Sequence, residues 1–278
     1  MISAITTEKI VKCLLSVTAL ISVAILFIIV IHIFINGVGV LDLQFLSDSP
    51  RRFEEGGIFP QIVGTLLLVA VCMAFAAPIG VASATYLVEY APDGLVTKSI
   101  RFFVDCIAGI PSIVIGLFGL AFLVYYLGLG TSLISGGLAL SFMILPWTIR
   151  VSEEAIKTVP CSYREASYAL GASKWQTIRN VVLKNATPGI ITGILLGTGK
   201  AMGETAVVLL TAGSGLESFL PESVLDPVGS LPVYLYIMAT QGHTSAAYNR
   251  AYGAALVLIL IFLGISVLAV FLRDHYRR

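Results

Sequence analysis

The sequence predicts an all-α integral membrane protein with six transmembrane helices. Three observations lead there. Of 278 residues, 57% are hydrophobic and only 12% are charged, about half the charged share of a soluble domain. The mean hydropathy is +0.95, more apolar surface than a water-soluble core of this size can bury. The apolar residues also fall into six stretches near the length of about 20 residues that a bilayer-spanning helix needs.

The spans are predicted at residues 13–35, 61–82, 103–127, 133–149, 189–212 and 251–272. The first follows Lys9 and Lys12 and could pass for a signal peptide. Its 23-residue length exceeds an h-region of roughly 7–15, and no small-residue cleavage site closes it. It reads as a retained first span. With the N-terminus inside, 13 of the 17 Lys and Arg residues fall on the cytoplasmic side, with Arg51, Arg52 and Arg250 outside and Lys200 in the membrane. The positive-inside rule therefore places both termini in the cytoplasm. Asp42, Asp48, Glu54, Glu55, Glu217, Glu222 and Asp226 collect outside.

This divides the chain into a first helix and outer loop (1–60), a five-helix domain (61–272) with a cytoplasmic loop at 150–188, and a tail (273–278). A net charge of +1 gives no reason to expect nucleic acid. Cys13, Cys72, Cys106 and Cys161 have no paired or metal-ligand spacing, and His32, His243 and His275 are far apart, so neither a disulfide framework nor a metal site is expected.

The loop at 150–188 reads as two short helices. After Pro160, Ser162 stands three residues before Glu165, the spacing of a capping box. Gly171 sits where a left-handed residue ends a helix. Ser173 and Gln176 repeat the box spacing and open a second helix, along which Trp175, Ile178 and Val182 form an apolar stripe opposite Lys174, Arg179 and Lys184. Thr187 is the expected N-cap of the fifth span and Pro188 its first residue. A rigid knob with apolar and basic faces suits a partner's groove; packing on the membrane surface is the plainer reading.

In the fifth span, "LLGTGKAMGETAVVLL" at 195–210 puts Lys200 and Glu204 where no other charge lies within a dozen residues. On a continuous helix at about 100° per residue, Gly193, Gly197, Lys200, Glu204 and Thr211 share a face roughly 60° wide. Small residues permit close helix approach, so this face meets protein or a water-filled path. A charge at the bilayer centre costs about 2.5–3.5 kcal/mol, part of which an i, i+4 pair offsets. The pair is either self-neutralising or a point that an ion passes. Asp105 stands near the start of the third span, where the helix dipole favours an acid. Pro111 within that span should kink or break it, and broken helices often line transport paths. Glu89 and Asp93 read as surface charges at a cytoplasmic turn. Arg51, Arg52, Glu54 and Glu55 in the outer segment at 49–60 could meet a binding protein.

Glu165-Ala166-Ser167 followed by Gly171 resembles the EAA loop of ABC importer permeases, with serine in the third place. "MGETAVVLLTAG" at 202–213 is similar to the fifth-span segment of phosphate importer permeases, with Lys200 where that family usually has arginine, a change that removes a bidentate fork. "YLVEYAP" at 86–92, "GIPSIVIGLFGLA" at 109–121 and "SLPVYLYIMAT" at 230–240 also agree, the last with the PstA type. The resemblance implies the type I importer permease (MetI-like) fold and a non-catalytic subunit of a phosphate importer. It implies a translocation path at Lys200, Glu204, Thr211, Pro111 and Asp105, helix packing at Gly193 and Gly197, and coupling to an ATPase through Ser162, Glu165, Ala166, Gly171 and Trp175. The implied partners are a PstC-type permease, two PstB-type ATPases that hold the ATP and Mg²⁺, a PstS-type phosphate-binding protein, phosphate and membrane lipid. No cofactor is expected in this chain, which has no G-x-x-x-x-G-K-[ST]. The alternatives are a permease for another oxyanion or small solute, and a secondary transporter that uses Glu204 for protons. An intramembrane protease is disfavoured, because Ser214 and His243 lie in or beside the outer loop.

Overall fold

The computed structural model describes residues 4–51, 55–217 and 219–277. Its helices are α1 (Ala4–Gly37), α2 (Leu43–Ser47), α3 (Phe59–Thr85), α4 (Leu95–Ala108), α5 (Ser112–Gly119), α6 (Leu133–Lys157), α7 (Cys161–Ala169), α8 (Lys174–Thr177), α9 (Leu183–Met202), α10 (Ala206–Thr211), α11 (Leu231–Gln241) and α12 (Ser245–Arg277). Wider π turns extend α3 through Tyr86–Tyr90, extend α5 through Leu120–Tyr126, and join α8 to α9 through Ile178–Val182. One small departure from all-α is a two-residue hairpin, β1 (Pro50–Arg51) with β2 (Glu55–Gly56), pairing Pro50 with Gly56 and Arg51 with Glu55. Arg52 and Glu54, named above in the outer segment, lie outside the described residues, as does Arg278 of the tail.

Among the described residues five helices are long and apolar enough to cross a membrane: Glu8–Val40, Phe59–Tyr90, Leu133–Lys157, Lys174–Met202 and Ser245–Phe271. A sixth crossing arises if α4 and α5, bent by 96° across a short break, count as one span. Pro111 causes that break. It cannot donate a backbone hydrogen bond, so it stands at the N-cap of α5 with an extended ψ of 138°.

Two boundaries differ from the sequence expectation. The helix entering the fifth span starts at Lys174 rather than at Pro188, because the chain from α8 to α9 never leaves helical form. Thr187 is therefore no N-cap: its hydroxyl donates to Leu183 O at 2.6 Å, and Pro188 lies inside α9. The 150–188 loop consequently shrinks to α7 and its flanking turns. At the other end, the fifth-span helix stops at Met202 and a separate helix, α10, completes the segment.

The central core lies between α3, α6, α9, α10 and α11, where Leu68, Leu140, Ile144, Met202 and Val207 are buried. Ser141 Oγ donates to Cys72 O at 3.0 Å and pins α6 to α3. A second cluster, with Phe45, Ile58, Leu231, Tyr234, Met238 and Ala251, binds α2, α11 and α12 together at the end opposite α7. By contrast α1 is largely unburied. Exposed Leu and Ile residues all along it suit lipid as solvent.

Close approach between α9 and α6 depends on two glycines. A Cβ at Gly193 would lie 2.0 Å from Val151 Cγ1, and one at Gly197 would lie 3.2 Å from Trp147 Cδ1. Trp147 Nε1 donates across this seam to Gly193 O at 3.2 Å. Gly193→Leu should therefore destabilise the protein by about 1–3 kcal/mol through overpacking. Gly264→Leu on α12, where a Cβ meets nothing within 4 Å, should stay within about 0.5 kcal/mol. Thermal unfolding of both variants in detergent checks this: only Gly193→Leu should lower the midpoint.

Candidate functional site

Between α9 and α10 the chain leaves the helix over Gly203, Glu204 and Thr205. The freed amides need acceptors, because the membrane interior offers no water. Glu204 supplies one: its Oε1 accepts from Ala206 N at 3.1 Å and Val207 N at 3.4 Å. A negative charge at the first turn of α10 also suits the helix dipole. The segment Gly-Glu-Thr is thus a stop and restart built from local chemistry.

This corrects the single-face geometry expected for Lys200, Glu204, Thr211, Gly193 and Gly197, which assumed an unbroken helix. Glu204 turns to α10, and the i, i+4 pair does not form: among the described residues neither Lys200 nor Glu204 takes part in an ion pair. Gly193 and Gly197 are buried against α6, whereas Lys200 is exposed, beside exposed Leu196. Gly197 abuts Ile144 and Trp147 near the middle of α6, so Lys200, one turn further on, lies near mid-depth. Thr211 is fully buried, and its hydroxyl is spent on Val207 O at 2.7 Å.

Glu204 is half-buried and lines a small cavity with Thr65, Leu68 and Val69 of α3, Leu140 of α6, and Ser230 and Pro232 at the start of α11. Here α11 begins beside α3: Leu231 N donates to Thr65 Oγ1 at 2.9 Å. Ser230 Oγ caps the helix by accepting from Val233 N at 3.5 Å. Above the cavity, Gln61 Nε2 donates to Gly215 O at 3.1 Å and Glu217 O at 2.9 Å, holding the 212–230 loop onto α3.

Asp105 lies in the last turn of α4, not at the start of a span, so the dipole there opposes its charge. Arg150 of α6 compensates, its Nε donating to Asp105 Oδ1 at 2.8 Å while Nη2 meets Oδ2. One turn along, Arg101 of α4 reaches Glu153 Oε1 at 2.8 Å, and Lys157 meets the same oxygen at 2.9 Å. Asp105 therefore fastens α4 to α6. Pro111 is exposed at the bend that follows.

At the same end of the molecule, α7 has no buried residue. The Ser162–Glu165 capping box is not formed. Pro160 is the N-cap and the helix starts at Cys161, which places Ser162 inside the first turn. Glu165 is exposed and its carboxylate accepts no hydrogen bond from the described residues. Ser162 and Ala166 are exposed too. Gly171 takes φ +82°, and the paired bonds Gly171 N to Tyr168 O (2.9 Å) and Ala172 N to Ser167 O (3.2 Å) close the helix in a Schellman motif. The Ser173–Gln176 box is present. Ser167, the small residue in third place of the motif, bonds through Oγ to Thr177 Oγ1 at 2.8 Å and ties α7 to α8 across the glycine turn. Leu170 is 90% exposed, and Tyr163, Tyr168 and Trp175 are about half exposed, so this knob offers apolar surface to a partner.

Sequence reasoning missed Glu89. It is no surface charge: its side chain is 7% exposed and Arg164 holds it at 2.7 Å. Only Arg164, a lone cation in a short helix, hinted that an acid must lie nearby. The 75 residues between them put the pair beyond any local pattern.

Residues 76–278 match the family described as binding-protein-dependent transport system inner membrane component. The chain belongs to this family. It is 35% identical over 275 residues to "Probable ABC transporter permease protein YqgI" of Bacillus subtilis (strain 168), covering 95% of this chain and 94% of that one. It is also 35% identical over 260 residues to "Probable phosphate transport system permease protein PstA" of Methanocaldococcus jannaschii, covering 94% and 91%. Its fold is similar to that of a chain in the crystal structure of a bacterial ABC transporter involved in the import of the acidic polysaccharide alginate. The TM-score is 0.67 at 16% identity, over 98% of this chain and 97% of that one. The chain is a multi-pass inner-membrane permease subunit and not an enzyme.

The assignment of Glu204 as acceptor for α10 is testable. Glu204→Ala should expose the Ala206 and Val207 amides to about fivefold faster hydrogen exchange, the equivalent of a lost cap worth ~1 kcal/mol. Lys200→Met should leave both amides unchanged. Hydrogen–deuterium exchange read by mass spectrometry separates the two.

Proposed function

We propose that this chain is a PstA-type membrane subunit of an ATP-driven phosphate importer, with both termini in the cytoplasm. The observation that carries the reading is the break at Gly203–Thr205. It leaves Lys200 as an exposed cation near mid-membrane, without a counter-charge among the described residues. A lone charge facing lipid costs about 2.5–3.5 kcal/mol, so this face meets protein or a water-filled path through which an anion passes. Similarity to a PstA-named relative over 94% of the chain supports phosphate as that anion. Lys200 would meet it as a point charge, without the two-point grip of an arginine.

On this reading the chain pairs with a PstC-type permease, receives phosphate from a PstS-type binding protein at the α11 end, and docks two-fold with PstB-type ATPases at the α7 end. ATP and Mg²⁺ belong to those ATPases. The mechanism is alternating access: closure of the ATPases displaces α7, and the helices α3, α6 and α9 carry the motion toward the Glu204 cavity. Glu165 and the apolar side chains of the knob are free to meet the ATPase, and Gly171 sets the angle at which they are presented. Thr211, buried and internally bonded, would act behind the path as packing, and Asp105 and Pro111 would fix the bend of α4 on α5.

Two experiments test this. Vesicles holding the purified complex should take up inorganic phosphate only with ATP inside the ATPase compartment and with the binding protein present. Competition by sulfate or molybdate at equal concentration would redirect the assignment to another oxyanion, and uptake without ATP to a secondary transporter. Gly171→Val forces a β-branched residue into the left-handed region, a strain of about 1–2 kcal/mol relieved by re-angling α7. The chain should still insert, but the ATPase should be lost from co-purification.

A further inference from the structure

The α7 knob is held almost without packing. Among the described residues its polar side-chain attachments beyond its own turn are Ser167 to Thr177 of α8, and Arg164. The second is much the stronger. Arg164 Nε and Nη2 both donate to Glu89 Oε1, at 3.1 and 2.7 Å, while Nη1 donates to Val159 O at 2.7 Å and Nη2 to Ile156 O at 3.3 Å. One guanidinium therefore closes the end of α6, where carbonyls lack helical partners, and grips a carboxylate on the last turn of α3. The two side chains are only 16% and 7% exposed, so solvent barely screens them. Charge-assisted bonds of this kind are roughly twice as strong as the neutral hydroxyl bond on the other side of the knob. Lys174 Nζ, 4.7 Å above the Tyr90 ring, adds a second fastening of the α8 start to the same turn.

The helix that Arg164 grips runs, past Pro78 in its interior, to the Glu204 cavity. From Tyr90 back to Phe59 it is one continuous helix, and the 20 residues between Glu89 and Val69 span roughly 30 Å. Val69, Leu68 and Thr65 at its far part form the α3 wall of the cavity, and Thr65 also receives the first amide of α11. The other connection, through the Gly171 turn into α8 and α9, is held by neutral bonds: the backbone pair that closes α7 and the Ser167–Thr177 hydroxyl bond. A push on α7 thus meets neutral bonds on one side and a charged clamp on the other.

We infer that the Glu89–Arg164 pair is the mechanical link that passes displacement of α7 into α3, which carries it to the wall of the Glu204 cavity. Glu89 is a positioning residue for transport: it touches no substrate and acts through α3. The inference rests on the proposed role of α7 as the ATPase dock, and the test separates the two.

The experiment compares wild type, Glu89→Gln, Arg164→Lys and Ser167→Ala as purified complexes in vesicles. Three quantities are read: ATPase co-purification, ATP hydrolysis, and uptake of inorganic phosphate. Glu89→Gln keeps the shape and an acceptor oxygen but removes the charge; Arg164→Lys keeps the charge but removes the fork. Both should retain the ATPase and its hydrolysis while ATP spent per phosphate rises about tenfold, the scale of a typical coupling between sites. Ser167→Ala should couple nearly normally. Unchanged coupling in Glu89→Gln and Arg164→Lys overturns the inference, as does a parallel fall of hydrolysis and uptake with the ATPase still bound. Loss of the ATPase from both variants also overturns it, since the pair would then only hold the dock in shape. Failure of the wild-type chain to retain an ATPase, or to import phosphate, overturns the proposed function instead.

Discussion

The constraint on which this structure depends is that a backbone at membrane depth must satisfy its own polar groups. Every feature of interest here is a place where a helix stops, and each stop carries its own remedy. Glu204 accepts the first amides of α10. Thr65 and Ser230 accept those of α11. Pro111 opens α5 with no amide to satisfy at that position. Arg164 covers carbonyls at the end of α6. Irregular backbone is tolerated in a membrane protein where it is buried or lines a cavity, and the breaks at Gly203–Thr205 and Ser230 both border the same small cavity.

The charges separate into two groups with different physics. At the α7 end, Asp105–Arg150, Arg101–Glu153–Lys157 and Glu89–Arg164 lock α3, α4, α6 and α7 into one body. Glu153 is 1% exposed and shared by two cations; stripping a buried acid of its partners costs about 3–5 kcal/mol. Glu153 and Glu89, both nearly buried, therefore resist separation from their cations, whereas the more exposed Asp105–Arg150 pair contributes less. Around the Glu204 cavity the polar contacts are hydrogen bonds between side chains and backbone, about 0.5–1.5 kcal/mol each for the hydroxyls and about 1.5–3 kcal/mol for those to the Glu204 carboxylate. Rearrangement is cheaper there than at the other end, a division that suits a subunit driven from one end and gated in the middle.

What could be read from the sequence was whatever is local or summed over long windows. Hydropathy found the spans, because lipid imposes a composition on 20 residues at once. The Ser173–Gln176 box and the left-handed Gly171 were legible because both partners of each bond lie within five residues. The Ser162–Glu165 box has the same spacing yet fails, since Pro160 sets the helix start at Cys161 and shifts the register. The helical wheel failed beyond Met202 for a related reason. Periodicity assumes continuity, and Gly-Glu-Thr carries a glycine to end one helix and a carboxylate to begin another. Glu89 was illegible because its environment is made by a residue 75 positions away; a lone acid before a Pro-containing turn looks the same whether solvent or an arginine surrounds it.

The break at Gly203 also changes what the two charges of the fifth span can be. In an unbroken helix Lys200 and Glu204 would neutralise one another, and the segment would present no net charge to an approaching ion. Once Glu204 accepts from the α10 amides, the helix start favours its charge and it makes no ion pair with Lys200 among the described residues. The two side chains are thereby held on different surfaces, Lys200 exposed on α9 and Glu204 half-buried at the cavity. The helix break thus separates two charges that an unbroken helix would join, leaving Lys200 on the exposed side of α9 and Glu204 on the wall of the small cavity.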